Sequence, residues 1–321
     1  MNKAVIANKA GGPEVLSFSK IDLKELKNDS VRIKQKAIGV NFIDTYHRRG
    51  LYPGMNYPEV IGVEAAGIIE ETGKNVTKYK IGDRVCYPLA KGAYAERRDI
   101  HENLVVKIPD NVTDEIAAAS ITKGITVHHL FNVISNPKRG DWVLFHAAAG
   151  GVGLIACQWA KQAGIRLIGT VSSKEKAELA KSYGAEETII YTEEDFVENV
   201  NNFTDGKGVV AAYDGIGGEN PINSAKTLSK FGTLCTFGAS SGPSKLTIDH
   251  LQPSIKYTKG SIATLVPELD MFDVASKEFF KLLIEDKINI NIGNEFSLAD
   301  AAEAHILLES RKTTGSIILK T

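Results

Sequence analysis

Three glycines between two apolar segments are the residues whose spacing most clearly indicates chemistry in this chain. Gly150, Gly151 and Gly153 follow the apolar residues 142–147 and precede an amphipathic segment at residues 154–163. A strand, a glycine turn and a helix in this order can place a pyrophosphate on the helix N-terminus. The spacing departs from G-x-G-x-x-G, so the glycines alone are a weak signal. Together with their flanks they predict a dinucleotide-binding turn.

The end of the next apolar segment indicates which nicotinamide cofactor would bind. NAD-binding proteins place an acidic residue about 20 positions beyond the glycines, on the ribose 2′-hydroxyl. Here residues 166–171 are followed by two serines and then by Lys174 and Lys176, with no acid at the strand tip. Hydroxyls and an ammonium group suit a 2′-phosphate, and Tyr191 could close the same pocket. NADPH is therefore predicted, although either lysine alone could equally belong to a solvated helix face.

These residues need a scaffold, and the chain after about residue 120 provides one. Strand-like and helix-like segments alternate there, which predicts an α/β fold with a parallel, doubly wound sheet. The predicted strands are residues 142–147, 166–171, 188–191, 209–213 and 234–237, and the predicted helices among them are residues 154–163 and 174–183.

The rest of the chain predicts a second unit that is mostly β. Residues 31–38 alternate apolar and polar side chains, as a half-buried strand does. Helices are predicted at residues 271–286 and 298–310, and a last short strand at residues 315–319. A single terminal strand needs a partner, so we expect it to return to the N-terminal β unit and make that domain discontinuous.

Length and composition fit two domains and a cytoplasmic enzyme. The 321 residues are expected to divide into residues 1–122 with 265–321, and residues 123–264. Net charge is −1, which provides no strongly basic field for nucleic acid. Three cysteines far apart in sequence fit a reducing compartment. Neither an apolar N-terminal leader nor a run of ~20 apolar residues is present, so no membrane partner is expected.

The glycine run and its flanks resemble the quinone oxidoreductases of the zeta-crystallin type, in the medium-chain dehydrogenase/reductase superfamily. The positions that match the signature of this family are Gly140, Asp141, Leu144, Ala148, Ala149, Gly150, Gly151, Gly153, Gln158 and Lys161. Similar segments extend the resemblance over essentially the whole chain, at residues 11–16, 41–46, 50–53, 82–85 and 123–126.

The resemblance implies a fold, a cofactor and an oligomeric state. A GroES-like β-barrel domain and a Rossmann domain are implied, with the nicotinamide in the cleft between them and homodimers joined through the Rossmann sheets. The implied NADPH contacts are Asn41, Phe42, Asp44, Tyr46, Thr126, Ala149, Gly150, Gly151, Val152, Ser172, Lys176, Tyr191, Gly238 and Arg311.

Many members of the superfamily are zinc alcohol dehydrogenases, but the zinc ligands are not expected here. A catalytic zinc takes three protein ligands, typically Cys and His. Aligned with that pattern, the chain has Asn41, Val63 and Thr122 at the ligand positions, while Glu64 is retained in a structural role or beside the site. Without a Lewis acid for alcohol oxidation, the chemistry suits an acceptor that takes electrons readily, such as a quinone.

The acceptor side offers few candidate acids. Tyr46 and Tyr52 lie on segments expected to face the cleft, where a phenol could hydrogen-bond a quinone oxygen or donate a proton. Both could equally pack or line the wall. His128 and His129 lie on an apparent helix and are expected to be structural.

Two other functions stay open beside NADPH:quinone reduction. Related zinc-free enzymes reduce activated alkenes, such as enones or 2-enoyl thioesters, with the same cofactor geometry. Some zeta-crystallin relatives are structural lens proteins or bind AU-rich RNA, and a net charge near zero gives RNA binding little electrostatic support.

Overall fold

The computed structural model describes residues 2–52 and 54–321, so Met1 and Pro53, the last residue of the segment 50–53, lie outside the described residues. The chain divides into two compact units. The first contains the chain up to Thr122, with Ala263–Ile284 and Ile290–Thr321. The second contains Lys123–Ile262 and Glu285–Asn289.

The first unit is built on two sheets. The smaller one has the strand order β2-β1-β4, where β1 is Asn2–Ala7, β2 is Leu16–Ile21 and β4 is Glu59–Val60. The strands of the larger one are β3 (Ser30–Val40), β5 (Glu64–Thr72), β6 (Arg84–Tyr87), β7 (Arg97–His101), β8 (Val106–Lys107), β15 (Ile292–Ser297) and β16 (Ser316–Lys320). Their order is β15-β16-β3-β5-β6-β8, and β7 also pairs with β3.

The C-terminal strand completes this larger sheet. β16 lies antiparallel to β3, with Ile318 opposite Gly39. The return of the terminal strand to the N-terminal β unit, expected from its isolation in the sequence, is confirmed. Alternation along β3 buries Val31, Ile33 and Ala37 in the core and leaves Lys34 and Lys36 exposed, because successive side chains of a strand point to opposite faces.

Helices accompany the sheets of the first unit. They are α1 (Phe42–Arg48), α7 (Leu269–Ile284) and α8 (Ala301–Glu309), and the division between the units falls inside α2 (Asp114–His128). A buried core joins strand residues such as Val5, Ile69 and Val85 to Leu298 and Ala304 near and within α8.

The second unit contains one parallel sheet of six strands. They are β9 (Trp142–His146), β10 (Arg166–Val171), β11 (Glu187–Ile190), β12 (Val209–Asp214), β13 (Leu228–Thr236) and β14 (Lys256–Lys259). The order is β11-β10-β9-β12-β13-β14, and all five pairings are parallel. The predicted doubly wound sheet is confirmed. In such a sheet, ligands bind beyond the carboxyl ends of the strands, where the order reverses, here between β9 and β12.

Helices connect these strands. They are α3 (Gly151–Ala163), α4 (Lys174–Ser182), α5 (Phe196–Phe203) and α6 (Asn220–Lys226), and a π-helical segment, His129–Ser135, continues α2. Gln158 of α3 joins the outlying segment Glu285–Asn289 to this unit, because its side chain donates to the carbonyl of Asn289 at 3.0 Å and accepts from its N–H at 2.7 Å.

Candidate functional site

The glycine turn brings the start of α3 against the end of β9. β9 ends at His146, Ala147 adopts a left-handed φ of 55°, and Gly150 is the N-cap of α3. A Cβ on Gly153 would lie 2.4 Å from the carbonyl oxygen of Ala147, so glycine is required for this approach. The first N–H groups of a helix lack partners within it and carry the positive end of its dipole. The turn formed by Ala149, Gly150, Gly151 and Val152 can therefore hold a phosphate.

The tip of β10 places the two lysines in different environments. Ser173 caps α4, since its hydroxyl accepts from the N–H of Lys176. Lys174 is exposed, whereas Lys176 is partly buried, and burial lowers the pKa of its ammonium group. The acid in this turn, Glu175, is exposed, and a hydrogen bond with Ser173 lowers the pKa of its carboxyl. Lys176 is thus the lysine whose ammonium group is partly withdrawn from water.

Ser172 and Tyr191 lie at the same edge of the sheet as the glycine turn. β10 and β11 are parallel neighbours, and each of these residues directly follows its strand. The carbonyl of Ser172 accepts from the Thr192 hydroxyl at 3.2 Å, and the N–H of Tyr191 donates to Val171 at 3.1 Å. The Tyr191 side chain remains 48% exposed. The two residues can therefore line one shallow surface beyond β10.

Gly238 belongs to a pair of loops that close on each other beyond β12 and β13. A Cβ on Gly238 would lie 2.7 Å from the carbonyl oxygen of Gly215. The N–H of Ser241 donates to Ile216 at 2.7 Å, and that of Gly218 to Gly242 at 3.1 Å. These contacts fix both loops at the carboxyl edge of the sheet.

A buried polar network under this edge was not predicted from the sequence. His146 at the end of β9 contacts Thr170 through Nδ1 and Ser224 through Nε2, both at 2.8 Å. The Ser224 hydroxyl lies 3.2 Å from Oδ2 of Asp214, which also accepts from Asn220 at 2.8 Å. Polar residues at the ends of apolar strands were the available sequence signal.

The partners in this network determine its hydrogen-bond directions. The Ser224 hydroxyl neighbours the Asp214 carboxylate and the carbonyl of Asn220, which can only accept. It must therefore accept from His146, which carries its proton on Nε2 and takes a bond from the Thr170 hydroxyl at Nδ1. Burial lowers the pKa of His146, in agreement with a neutral ring, and Asp214 opposes this shift. The network ties β9, β10, β12 and α6 together beneath the glycine turn.

In the first unit, the candidate residues gather on α1. Asn41 and Asp44 form a capping box, in which the N–H of Asn41 donates to Oδ2 of Asp44 at 2.8 Å. The Asn41 amide also donates to the carboxylate of Glu64 at 3.2 Å. Asp44 and Glu64 are fully buried. This places Asp44 in the framework of α1, while Asn41 connects α1 to β5.

An aromatic cluster occupies the other side of α1. The ring of Tyr46 lies 5.2 Å from that of Tyr52 and 6.5 Å from that of Phe42, and His47 lies 6.0 Å from Tyr52. Tyr46 is only 4% exposed, whereas Tyr52 is 38% exposed. Burial raises the pKa of Tyr52, so its phenol stays protonated at neutral pH. The cluster offers aromatic rings inclined to one another, with the half-exposed phenol of Tyr52 as a donor.

The structure therefore groups the candidate residues in two sets, one in each unit. Ala149, Gly150, Gly151, Val152, Ser172, Lys176, Tyr191 and Gly238 lie along one edge of the parallel sheet. Asn41, Phe42, Asp44, Tyr46 and Tyr52 lie on α1 or close to it in sequence. Two candidates lie apart from these groups, Thr126 within α2 and Arg311 in a left-handed conformation after α8.

Within residues 2–52 and 54–321, no group of three or more His, Cys, Asp or Glu side chains is placed to hold a metal ion. None of the helices in that part of the chain has both the length and the apolar character needed to cross a bilayer.

Comparison with known protein families gives two matches, one in each half of the chain. Residues 27–110 match the alcohol dehydrogenase GroES-like domain, and residues 151–274 match the family described as zinc-binding dehydrogenase.

Individual relatives align over nearly the full length. A quinone oxidoreductase from Pseudomonas aeruginosa is 42% identical, with 96% of each chain covered. A 2-haloacrylate reductase from a Burkholderia species is 36% identical, with 99% of each chain covered. The structure of Escherichia coli quinone oxidoreductase complexed with NADPH superimposes with a TM-score of 0.96 at 39% identity, covering 99% of this chain and 100% of the other.

Proposed function

The chain belongs to the quinone oxidoreductase family of the medium-chain dehydrogenase/reductase superfamily, and on this premise we propose that it is a zinc-independent NADPH:quinone oxidoreductase. The observation that carries the cofactor assignment is one edge of the parallel sheet. There α3 begins just beyond β9, and α4, with Ser173 and the partly buried Lys176, begins just beyond β10. The two strands are parallel neighbours, so both helix starts lie at the same edge.

The residues at this edge fit NADPH in charge and shape. The turn from Ala149 to Val152 would hold the pyrophosphate at the start of α3. Gly153 allows α3 to begin this close to the strand, since a side chain there would push the helix away. Ser172, Lys176 and Tyr191 would hold the ribose 2′-phosphate. NADPH supplies a hydride when bound, and the protein binds it, orients it and excludes water.

The aromatic cluster on α1 is the proposed acceptor surface. The ring of Tyr52 is 38% exposed and packs against that of Tyr46, so a planar quinone can stack on Tyr52 in the offset packing that aromatic pairs favour. The hydroxyls of Tyr46 and Tyr52 would hydrogen-bond the quinone oxygen on which negative charge develops, and burial raises the pKa of Tyr52 and keeps its phenol protonated. In this proposal the nicotinamide half of the cofactor would be contacted by Asn41, Thr126, Gly238 and Arg311.

The side chains at the ligand positions of zinc-dependent relatives support a reaction without zinc. The side-chain amide of Asn41 donates a hydrogen bond to the carboxylate of Glu64, and Val63 is an apolar side chain that is 1% exposed. With Thr122 as the third position, the set has no thiolate or imidazole, which are the usual ligands of a catalytic zinc.

We also propose a homodimer located in the cytoplasm. β14 is the edge strand of the parallel sheet, and a second copy could extend the sheet there. Exposed Ile248 and Tyr257 near that edge would be covered by such pairing. Cys86, Cys157 and Cys235 are buried and free, which fits a reducing compartment. Light scattering should give twice the mass of one chain, and the mass of a single chain would contradict the dimer.

Steady-state kinetics test the activity. The purified protein should oxidise NADPH in the presence of 1,4-benzoquinone or a naphthoquinone, followed by loss of NADPH absorbance. It should prefer NADPH over NADH, and a chelator should leave the rate unchanged. No NADPH consumption with any of several quinones would reject the proposal.

Reduction of an activated alkene is the second candidate, because the Burkholderia relative named 2-haloacrylate reductase covers 99% of this chain. Product analysis separates the two functions. An enone converted to its saturated ketone faster than any quinone is reduced would favour the second candidate.

A further inference from the structure

A network of buried polar side chains joins α8 to α1. The guanidinium of Arg48 donates to both carboxylate oxygens of Glu309 at 2.9 Å, and its other terminal nitrogen lies 3.0 Å from Nδ1 of His305. Nε2 of His305 lies 3.0 Å from the hydroxyl of Tyr94, which donates to Oδ2 of Asp44 at 3.1 Å. Arg48, Tyr94, His305 and Asp44 are at most 1% exposed.

The chemistry of these groups fixes the direction of every bond. Arginine only donates, so Nδ1 of His305 accepts and the ring carries its proton on Nε2. His305 therefore donates to Tyr94, and Tyr94 gives its only proton to Asp44. Burial, together with the charge of Arg48, lowers the pKa of His305 to about 3, in agreement with a neutral ring. No hydrogen bond in this polar network can reverse its direction without leaving one of the side chains unpaired.

The polar network is attached to α1 at two points. Asp44 and Arg48 are four positions apart on α1 and therefore share one face. Phe42 and Tyr46 are also four apart and share a face, which lies roughly opposite, since two positions turn a helix by about 200°. The polar network thus holds α1 at both ends of one face, while the opposite face presents the aromatic cluster.

We propose that Tyr94, His305 and Arg48 are positioning residues for the reaction. They hold α1 in the position from which Tyr46 can contact the acceptor. This inference rests on the proposed function, in which Tyr46 contacts the quinone. None of the three residues touches the acceptor in this arrangement. Their effect reaches the reaction through the backbone of α1.

A double-mutant cycle on quinone turnover tests the inference. Tyr94→Phe removes only the hydroxyl that links His305 to Asp44 and should lower kcat by about tenfold, because small displacements of a contacting group are costly. Tyr46→Phe should also lower kcat. The double variant should lose little more than the worse single variant, because both changes remove the same contact.

Tyr87→Phe is the matched control. Tyr87 is fully buried in the same core, but its hydroxyl donates to Gln35 and has no bond to α1. This variant should lower the thermal midpoint by an amount comparable to Tyr94→Phe while keeping the wild-type kcat. Its combination with Tyr46→Phe should show the kcat of Tyr46→Phe alone.

A second pair of variants separates hydrogen bonding from packing. His305→Gln can still accept from Arg48 and donate to Tyr94, whereas His305→Leu can do neither. His305→Gln should restore most of the turnover that His305→Leu loses.

The outcomes distinguish the inference from the proposed function. Multiplicative loss in the Tyr94 and Tyr46 double variant would overturn the positioning role while leaving Tyr46 as an acceptor contact. Equal turnover of His305→Gln and His305→Leu would also overturn it. Wild-type turnover of Tyr46→Phe would remove the proposed acceptor contact itself, and with it the inference.

Discussion

The hydroxyl of Ser173 lies 3.4 Å from the backbone nitrogen of Lys176 and accepts its hydrogen bond. This cap fixes the first turn of α4 directly beyond β10, so the Lys176 side chain starts from a defined backbone position. Lys174 in the same turn is exposed. The two lysines, equivalent in the sequence, are therefore unequal in the structure, and the proposed selectivity for NADPH rests on Lys176.

Replacement of Lys176 by glutamate should separate the two nicotinamide cofactors. Lys176→Glu places a like charge beside the 2′-phosphate, and the KM for NADPH should rise by about tenfold or more, as loss of a charged hydrogen bond predicts. The KM for NADH should change by less than about twofold, because NADH has no 2′-phosphate. Both constants are measured with one quinone at a saturating concentration.

Lys181→Glu is the control for the change of charge on α4. Lys181 lies in the last turn of that helix and pairs with Glu187 at the surface. Its replacement should leave both KM values near those of the parent chain. An equal loss of affinity for NADPH and NADH in Lys176→Glu would place the phosphate pocket elsewhere.

The glycine at position 153 should be irreplaceable on steric grounds. Gly153→Ala puts a Cβ 2.4 Å from the carbonyl oxygen of Ala147 and 2.6 Å from the backbone of Ala148. The helix or the strand must move, and the free energy of unfolding should fall by about 1–3 kcal/mol, as for other overpacked sites. Urea unfolding measures this loss.

Gly150→Ala is the matched control on the same turn. Its nearest contact would be the Ala147 carbonyl oxygen at 3.3 Å, and its φ of −82° is allowed for alanine. The unfolding free energy should change by less than about 1 kcal/mol. Equal destabilisation by the two substitutions would contradict the steric explanation for Gly153.

The sequence predicts the features that depend on residues close together along the chain. β10 has the predicted bounds, because its apolar run ends where polar residues begin. The glycine turn could be predicted for the same reason. β14, in contrast, has the polar sequence KYTK, and only its pairing with β13 makes it a strand. α5 and α6 were also absent from the predicted elements.

The polar networks could not be predicted because their members are distant in sequence. His146 and Ser224 are 78 positions apart, and Tyr94 and His305 are 211 apart. Each of these residues is an ordinary side chain in its local segment. Whether it joins a network depends on which strands and helices the fold places side by side. The local sequence around one residue does not show which elements become its neighbours.

The carboxylate of Asp214 should be essential for the stability of the second unit. Its Oδ1 accepts from the N–H groups of Ile216 and Gly217 at 2.8 and 2.9 Å, and its Oδ2 accepts from Asn220 and Ser224. Asp214→Asn replaces one acceptor oxygen with an NH2 donor that faces other donors, which leaves buried groups unpaired and should lower the free energy of unfolding by about 2–4 kcal/mol. Urea unfolding of the purified variant measures this change.

Asp205→Asn makes the same chemical change at an exposed position of this unit. Asparagine tolerates the left-handed φ of 51° at that residue, so the change should stay within about 0.5 kcal/mol. A stability of Asp214→Asn equal to that of Asp205→Asn would show that the network under the glycine turn does not depend on the charge of Asp214.

Stability should fall as the pH is lowered from neutral, because buried histidines such as His47 and His305 are neutral in the folded chain. Burial, assisted by the charge of Lys91, lowers the pKa of His47 to about 4, and His305 has a pKa of about 3. Both rings take up a proton on unfolding once the pH is below about 6.5, the ordinary histidine pKa. The unfolded state then binds more protons, so each ring lowers the free energy of unfolding by about 1.4 kcal/mol per pH unit below that value.

His47→Gln should remove the contribution of one ring from this slope. Urea unfolding of the parent chain and the variant at pH values between about 6.5 and 4, the window set by the unfolded and folded pKa values of His47, measures the difference. The parent chain should lose stability faster than His47→Gln by about 1.4 kcal/mol per pH unit, and the two curves should run parallel above pH ~7. Parallel curves throughout the acidic window would mean that His47 keeps an ordinary pKa in the folded chain, because its proton uptake would then not change on unfolding.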